Sequence, residues 1–167
     1  MTDFAMRRTR SHLALGLAVA AVVVVLDQLT KWWILNTVMQ PFPRVVEVAP
    51  FFNLVLTWNP GVSFGMFAHE AEYMPYVLSA VSVVITVFLL GWLRRADSRF
   101  VALCLGLVIG GAMGNVVDRL LYGAVADFLD FHAFGFHFWA FNIADSGISV
   151  GVILLVIDGL FRGSDSA

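Results

Sequence analysis

The chain has 167 residues, 60% of them hydrophobic and only 13% charged, with a mean hydropathy of +0.86. A soluble domain carries about 25% charged and roughly 45–50% apolar residues, so a water-soluble globule and a disordered chain are both excluded. The 10 basic and 12 acidic residues give a formal net charge of −2, which offers no basic surface for nucleic acid, and the single cysteine, Cys104, forbids an internal disulfide and a cysteine-cluster metal site.

The length fits one integral membrane domain over residues 1–167. A spanning helix needs about 20 mostly apolar residues, and four runs qualify. The first, 13–35, follows Arg7, Arg8 and Arg10 and contains Ala18-Val19-Ala20, which looks like a secretory cleavage site. Its apolar run exceeds the roughly 7–15 residues of a secretory signal, so it is expected to remain as an anchor. Residues 36–73 are the only sizeable non-spanning segment. Pro41, Pro43 and Pro50 break helices there, 44–48 and 52–58 read as short strands, and Asn59-Pro60-Gly61 reads as a turn. These strands are too apolar for a free soluble sheet, and are expected to lie on the membrane surface or to face a lipidic substrate. The second span, 74–93, has no ionisable residue in its core and reads as scaffold. Arg94, Arg95 and Arg99 separate it from the third, 100–121. A short aromatic segment, 123–140, leads to the fourth, 141–161, and Arg162 follows. The expected fold is therefore an all-α membrane protein of four helices, with a small extracytoplasmic β-cradle between the first two.

Basic residues orient the spans. Four crossings put the seven arginines at 7, 8, 10, 94, 95, 99 and 162 on one side, and only Lys31, Arg44 and Arg119 toward the other. That bias places both termini in the cytoplasm. Trp32, Trp33, Tyr122 and Trp139 then mark the outer ends as an aromatic belt, and Trp92 marks an inner end.

Polar groups inside these spans share one depth. At about 1.5 Å per residue, Asp27 lies ~21 Å and Lys31 ~27 Å from the cytoplasmic end of the first span, and Asn115 ~22 Å and Asp118 ~27 Å along the third. Asp145 enters from outside and lies ~6 Å below the outer end of the fourth, while Asp127 follows the third span within a few residues. Such groups are costly in a membrane and mark function by default. Asp27 and Lys31 stand i,i+4 and can pair; Asn115, Asp118 and Arg119 share a face, as do Asn142, Asp145, Ser146 and Ser149. Gly106, Gly110 and Gly114, with Gly147 and Gly151, predict close packing of the third and fourth spans, which brings Asp145 to the 115–127 region. Asp27–Lys31 reads first as a structural ion pair, and Asp118–Arg119 as an interfacial cap or a snorkelling pair. Asp127 and Asp145 have no obvious basic partner one turn away.

Two neighbouring aspartates suit acid–base hydrolysis. They cannot both ionise readily, so one can activate water while its protonated partner donates to the scissile carbonyl. This chemistry needs no metal, no cofactor and no cysteine. Zinc at His132 and His137 lacks an HExxH pattern or further ligands. A Ser63–Lys31 dyad is opposed by Asp27, which holds the amine charged. The competing class is a small transporter or proton-relay protein using its intramembrane carboxylates, which should place charge near the midplane rather than at one interface.

Five segments carry a family resemblance: Val25-Leu26-Asp27-Gln28-Leu29-Thr30-Lys31, Trp58-Asn59-Pro60-Gly61-Val62-Ser63-Phe64, Gly110-Gly111-Ala112-Met113-Gly114-Asn115-Val116-Val117-Asp118-Arg119, Ala124-Val125-Ala126-Asp127-Phe128 and Ala140-Phe141-Asn142-Ile143-Ala144-Asp145-Ser146. In order and spacing, over about residues 25–161, they resemble the bacterial lipoprotein signal peptidases, or signal peptidase II. The resemblance implies an aspartic endopeptidase of the bacterial inner membrane that cleaves diacylglyceryl-modified prolipoproteins just before the lipidated cysteine. It maps the catalytic aspartates onto Asp127 and Asp145. Supporting or substrate-positioning residues map onto Asp27, Lys31, Asn59, Gly61, Asn115, Asp118, Arg119 and Asn142. It further implies a β-cradle and a periplasmic helix in about 42–73, membrane lipid as surroundings and inhibition by globomycin. A monomer suffices, since both aspartates lie on one chain. Two departures stand out. Pro60 fixes φ and removes a donor in the turn after Asn59, and Ala126 stands where the family often has valine.

Overall fold

The computed structural model describes residues 2–41, 45–61 and 73–164. Helix α1 (Thr2–Trp33) runs into a π-helical turn, Ile34–Val38, and is followed by strands β1 (Val46–Ala49) and β2 (Phe52–Asn59). Helices α2 (Met74–Leu93) and α3 (Arg99–Tyr122), strands β3 (Val125–Ala133) and β4 (Phe136–His137), and helix α4 (Ile143–Ser164) complete the order. Four stretches are long and apolar enough to cross a membrane: His12–Val38, Met74–Leu93, Arg99–Tyr122 and Ile143–Phe161. They coincide closely with the ranges expected from hydropathy.

Local chemistry sets the helix ends. Pro75 opens α2, where a missing N–H costs nothing. Ser98 caps α3, its Oγ accepting from the Val101 N–H at 3.2 Å. Gly123 ends α3 at φ +72°, a left-handed conformation natural to glycine.

Helix α3 is the central element, packed against α1, α2 and α4 and buried over most of its length. Glycine lets backbones meet around it. A Cβ on Gly106 or Gly110 would press on the α1 backbone at Gly16 or Ala20, at 2.5 and 2.7 Å. A Cβ on Gly111 would collide with Ala144, and one on Gly151 would stand 2.7 Å from the Cys104 carbonyl. The expected stripe thus divides: Gly106 and Gly110 serve α1, whereas Gly111, Gly147 and Gly151 join α3 to α4. Gly114 touches both neighbours, Asp27 of α1 and Ala144 of α4.

The strands form one antiparallel sheet in the order β1-β2-β3-β4. Four helices and a small sheet are present as expected, but the sheet is not confined to the connection between the first two spans. Half of the sheet comes from the α1–α2 connection and half from 125–137, a segment read only as short and aromatic. The central pair aligns Asn53 with Asp130, Thr57 with Asp127 and Asn59 with Val125, with a register shift between Leu54 and Thr57. Phe128 buries against Ile34, Val38 and Met39, which fastens the sheet to the end of α1. The periplasmic helix expected within about 42–73 is not found among the described residues of that range, and 42–44 and 62–72 lie outside them.

Candidate active site

Depth and face arguments anticipated one polar cluster, and it forms at the sheet-bearing end of the helix bundle. Asp127 lies on β3 and is 2% exposed, while Asp145 lies in the first turn of α4. Asn142 joins them. Its side-chain amide donates to Asp127 Oδ1 at 2.7 Å, and its backbone N–H donates to Asp145 Oδ2 at 3.3 Å. Its own Oδ1 accepts from the Asp145 N–H at 2.9 Å. Asn142 and Asp145 thus form a reciprocal capping box at the start of α4, so the local rule that starts the helix also aims the carboxylate. The helix N-terminus adds a favourable field for negative charge there.

Two further amides complete the surroundings. Asn115 Nδ2 donates to Asp145 Oδ1 at 2.7 Å. Asn59 Nδ2 donates to the other oxygen of Asp127 at 3.1 Å. The Gly61 N–H donates to Asn59 Oδ1 at 2.9 Å, an Asx turn that fixes which way the Asn59 amide faces. Gly61 adopts φ +78°, and a side chain there would collide with Leu78. Pro60 is compatible with the Asn59–Gly61 turn, which uses the N–H of Gly61 and needs none from residue 60.

Burial pushes the Asp127 carboxyl up from its ordinary 3.8, and the nearby Asp145 charge pushes it further; the Asn59 and Asn142 amides and Lys31 oppose, leaving it at about 6. One member of this pair therefore keeps its proton well above the usual carboxylate range.

Behind this pair lies a second group. Lys31 pairs with Asp27 at 2.7 Å, as the i,i+4 spacing anticipates, and also with Asp118 at 2.8 Å. Asp118 therefore pairs with a lysine on another helix, not with Arg119 as expected. Adjacent helix residues do not face one another. Arg119 Nη1 reaches the Asn115 carbonyl at 3.4 Å, and its Nε has no hydrogen-bond partner among the described residues. Its guanidinium interacts electrostatically with Asp145, Asp118 and Asp127.

Gln28 was not anticipated: its Nε2 donates to Asp118 at 2.9 Å and to Asp27 at 3.2 Å. Its place beside Asp27 in the first segment was the only available signal. Ser146 donates to the Asn142 carbonyl at 2.9 Å, whereas Ser149 is exposed and takes no part. His132 and His137 stack on one another, and His137 pairs with Asp130, away from the cluster. Ser63 lies outside the described residues, and Lys31 is held between two carboxylates.

A sequence profile described as Signal peptidase (SPase) II matches residues 19–161. A lipoprotein signal peptidase of Methylobacterium sp. (strain 4-46) is 47% identical over 146 residues, covering 87% of this chain and 88% of that protein. One from Burkholderia vietnamiensis (strain G4) is 44% identical over 151 residues, covering 90% of each. Among solved structures, a bacterial membrane enzyme obtained by the in meso method has a TM-score of 0.77 at 32% identity, over 91% of both chains.

Proposed function

The chain belongs to the signal peptidase II family, and on that premise we propose that Asp127 and Asp145 are its catalytic pair. It is an integral membrane protease that removes signal peptides from lipoprotein precursors. The observation that carries the assignment is the bridge through Asn142, which bonds to both carboxylates.

In the reaction proposed, Asp145 as carboxylate takes a proton from water while the water oxygen attacks the scissile carbonyl carbon. Asp127 gives its proton to the carbonyl oxygen, so the tetrahedral intermediate forms as a neutral diol. Asp145 then returns its proton to the departing amine, Asp127 recovers one from a diol hydroxyl, and the carbon–nitrogen bond breaks. The products are the carboxyl-terminated signal peptide and the free amino group of the mature protein. Asn115 and Asn142 hold Asp145, and Asn59, oriented by Gly61, holds Asp127.

The substrate proposed is the precursor whose cysteine already carries diacylglycerol, cut just before that residue. Two acyl chains, at roughly 0.8 kcal/mol per buried CH₂, hold the cysteine at the membrane interface, the level at which the pair stands. The arginine distribution supports an orientation with both termini cytoplasmic and the pair near the outer face. A globomycin-type inhibitor would compete for the same space, and one chain carries the whole site.

Turnover of a diacylated precursor by purified Asp127→Asn and Asp145→Asn tests the assignment. Amides keep the shape but cannot exchange the proton, so each variant should be inactive. Activity within tenfold of the parent in either would overturn it. Equal rates on lipidated and unlipidated precursor in the same micelles would refute selection by depth.

A further inference from the structure

Two carboxylates that take no part in the proposed chemistry hold the peptide N–H groups next to the two that do. Asp118 Oδ2 accepts from the backbone N–H of Ala126 at 3.0 Å, one residue before Asp127. Asp27 Oδ1 accepts from the backbone N–H of Ala144 at 2.9 Å, one residue before Asp145. The carboxylates come from different helices, α3 and α1, and both are 0% exposed. Lys31 lies between them, 2.7 Å from Asp27 and 2.8 Å from Asp118. Its ammonium also donates to Asn115 Oδ1 at 3.3 Å, which orients the amide that bonds Asp145. Gly114 keeps the space open, since a Cβ there would stand 2.7 Å from Asp27 Oδ2.

We propose that Lys31 is a positioning residue: through Asp27 and Asp118 it sets the strand segment bearing Asp127 and the helix end bearing Asp145 at one separation. The proposal rests on the reading of those aspartates as the reacting pair, and deepens it. Lys31 contacts neither reacting carboxyl. Without its charge, two buried carboxylates lose the ammonium that pairs with both. They then repel, or one takes up a proton. Either way the N–H groups of Ala126 and Ala144 lose a common reference, and misplacement by about 1 Å can cost on the order of 100-fold in rate. An ordinary structural ion pair has a different signature, because its loss lowers stability but spares turnover per folded molecule.

The test uses the full-length enzyme in nanodiscs and a diacylated precursor. Lys31→Met keeps length and removes charge. Its kcat per folded molecule should fall at least 30-fold, with KM within about threefold of the parent. The kcat/KM–pH profile adds a readout that a structural role does not move. The groups facing Asp127 among the described residues are Asp145 on α4, Lys31 on α1, Arg119 on α3 and the amides of Asn59 and Asn142. Lys31 favours the ionised form of Asp127, so its loss should move the alkaline limb to higher pH, and Lys31→Arg should return kcat and limb part of the way. Should Lys31→Met not fold, Asp27→Asn and Asp118→Asn, which keep a backbone acceptor but not the ion pair, should each lower kcat at least tenfold. Parent-like kcat with an unmoved limb in the folded variants would overturn the proposal, as would loss of kcat with neither limb movement nor recovery by arginine. Asp127→Asn and Asp145→Asn run in parallel separate the two ideas: turnover by these would sink the reacting pair itself, whatever Lys31 does.

Discussion

The two ends of the helix bundle are both buried, and they are held by different forces. At the end away from the sheet, α3 meets α1 through Gly106 and Gly110 and meets α4 through Gly147 and Gly151, backbone against backbone, around Leu93, Ala102, Leu105 and Ile109. At the sheet end the buried groups are Asp27, Lys31, Asn115, Asp118, Asp127 and Asn142, each with named polar partners. In lipid, helix association draws on close packing rather than on hydrophobic exclusion, so the glycine end needs only small residues. The polar end needs partners for the groups it buries, and Arg119 Nε and His132 Nε2 are left without one among the described residues. One end makes the bundle, and the other spends part of that stability on a geometry.

Asp127 gives the largest effect that separates them. Asp127→Asn should lower turnover by more than about 1,000-fold, the scale of losing an acid–base group. It should also raise stability near neutral pH. An acid whose folded-state pKa is raised from 3.8 to about 6 binds more protons folded than unfolded in that window. Folding stability then falls as pH rises from 3.8 to about 6, and the loss, roughly 3 kcal/mol, persists above it. Thermal melts of parent and variant should therefore diverge with rising pH and coincide near pH 3. Variant melts that stay below the parent at pH 8 would show that the carboxylate stabilises its end of the bundle. The same titration predicts a fall in parent kcat/KM above about pH 6, where the pair loses its shared proton.

Asn142→Ala comes next. It removes the amide on Asp127 and half of the capping box that aims Asp145. Turnover should drop on the order of 100-fold, with about 1 kcal/mol of stability lost with the cap. The alkaline limb should rise, because a hydrogen bond that favours the ionised Asp127 is gone. A fall in turnover without movement of that limb would show that Asn142 acts only on α4.

How much of this could be read without coordinates follows the same division. Spans, and the level at which polar groups gather, depend on rise per residue and on composition, which are local. Asp27–Lys31 was legible because i,i+4 is a local spacing. The partner of Asp118 was not, because Lys31 lies on another helix and the neighbouring Arg119 offered a nearer charge. Strands β3 and β4 were missed for a related reason. The stretch 125–133 shows no clean alternation, and its pairing partner, Asn53 opposite Asp130 and Thr57 opposite Asp127, is some seventy residues earlier. Asn142 and Asp145 were assigned to one face of a span, while their three-residue offset is also that of a capping box. That reading was open to local rules and has the greater consequence for the site.

The glycine end can be broken without touching the chemistry. Gly110→Ala places a methyl 2.7 Å from the Ala20 carbonyl and from Val23, where backbone cannot move aside cheaply. Overpacking of this kind costs about 1–3 kcal/mol, and turnover per folded molecule should be unchanged. Gly159→Ala is the matched control, since nothing lies within 4 Å of its Cβ. Equal melts for the two would mean that α1 and α3 do not depend on close approach.

The smallest effect tests where the polar end stops. Asp130 sits on β3 three residues beyond Asp127, and is bonded by Asn53 at 3.1 Å and by His137 at 2.9 Å. Burial alone would raise its carboxyl, but those two hydrogen bonds outweigh it and hold the group below the ordinary carboxylate range. A depressed folded-state value means stability that is present above the unfolded pKa and lost as pH falls through the folded one. The His137 side chain is 58% exposed, so its contact with Asp130 is screened by solvent and worth under about 1 kcal/mol. His137→Ala should therefore lower the melting point by at most a few degrees at neutral pH and low salt. The difference should shrink with added salt and vanish once acid protonates Asp130. Asn53 remains on Asp130, so the register with β2 survives, and neither Asp127 nor Asp145 loses a partner. Turnover should match the parent. A loss comparable to that of Asn142→Ala would extend the site along β3 to the β4 hairpin, and the sheet would then serve the reaction over its length rather than at the residues beside Asp127.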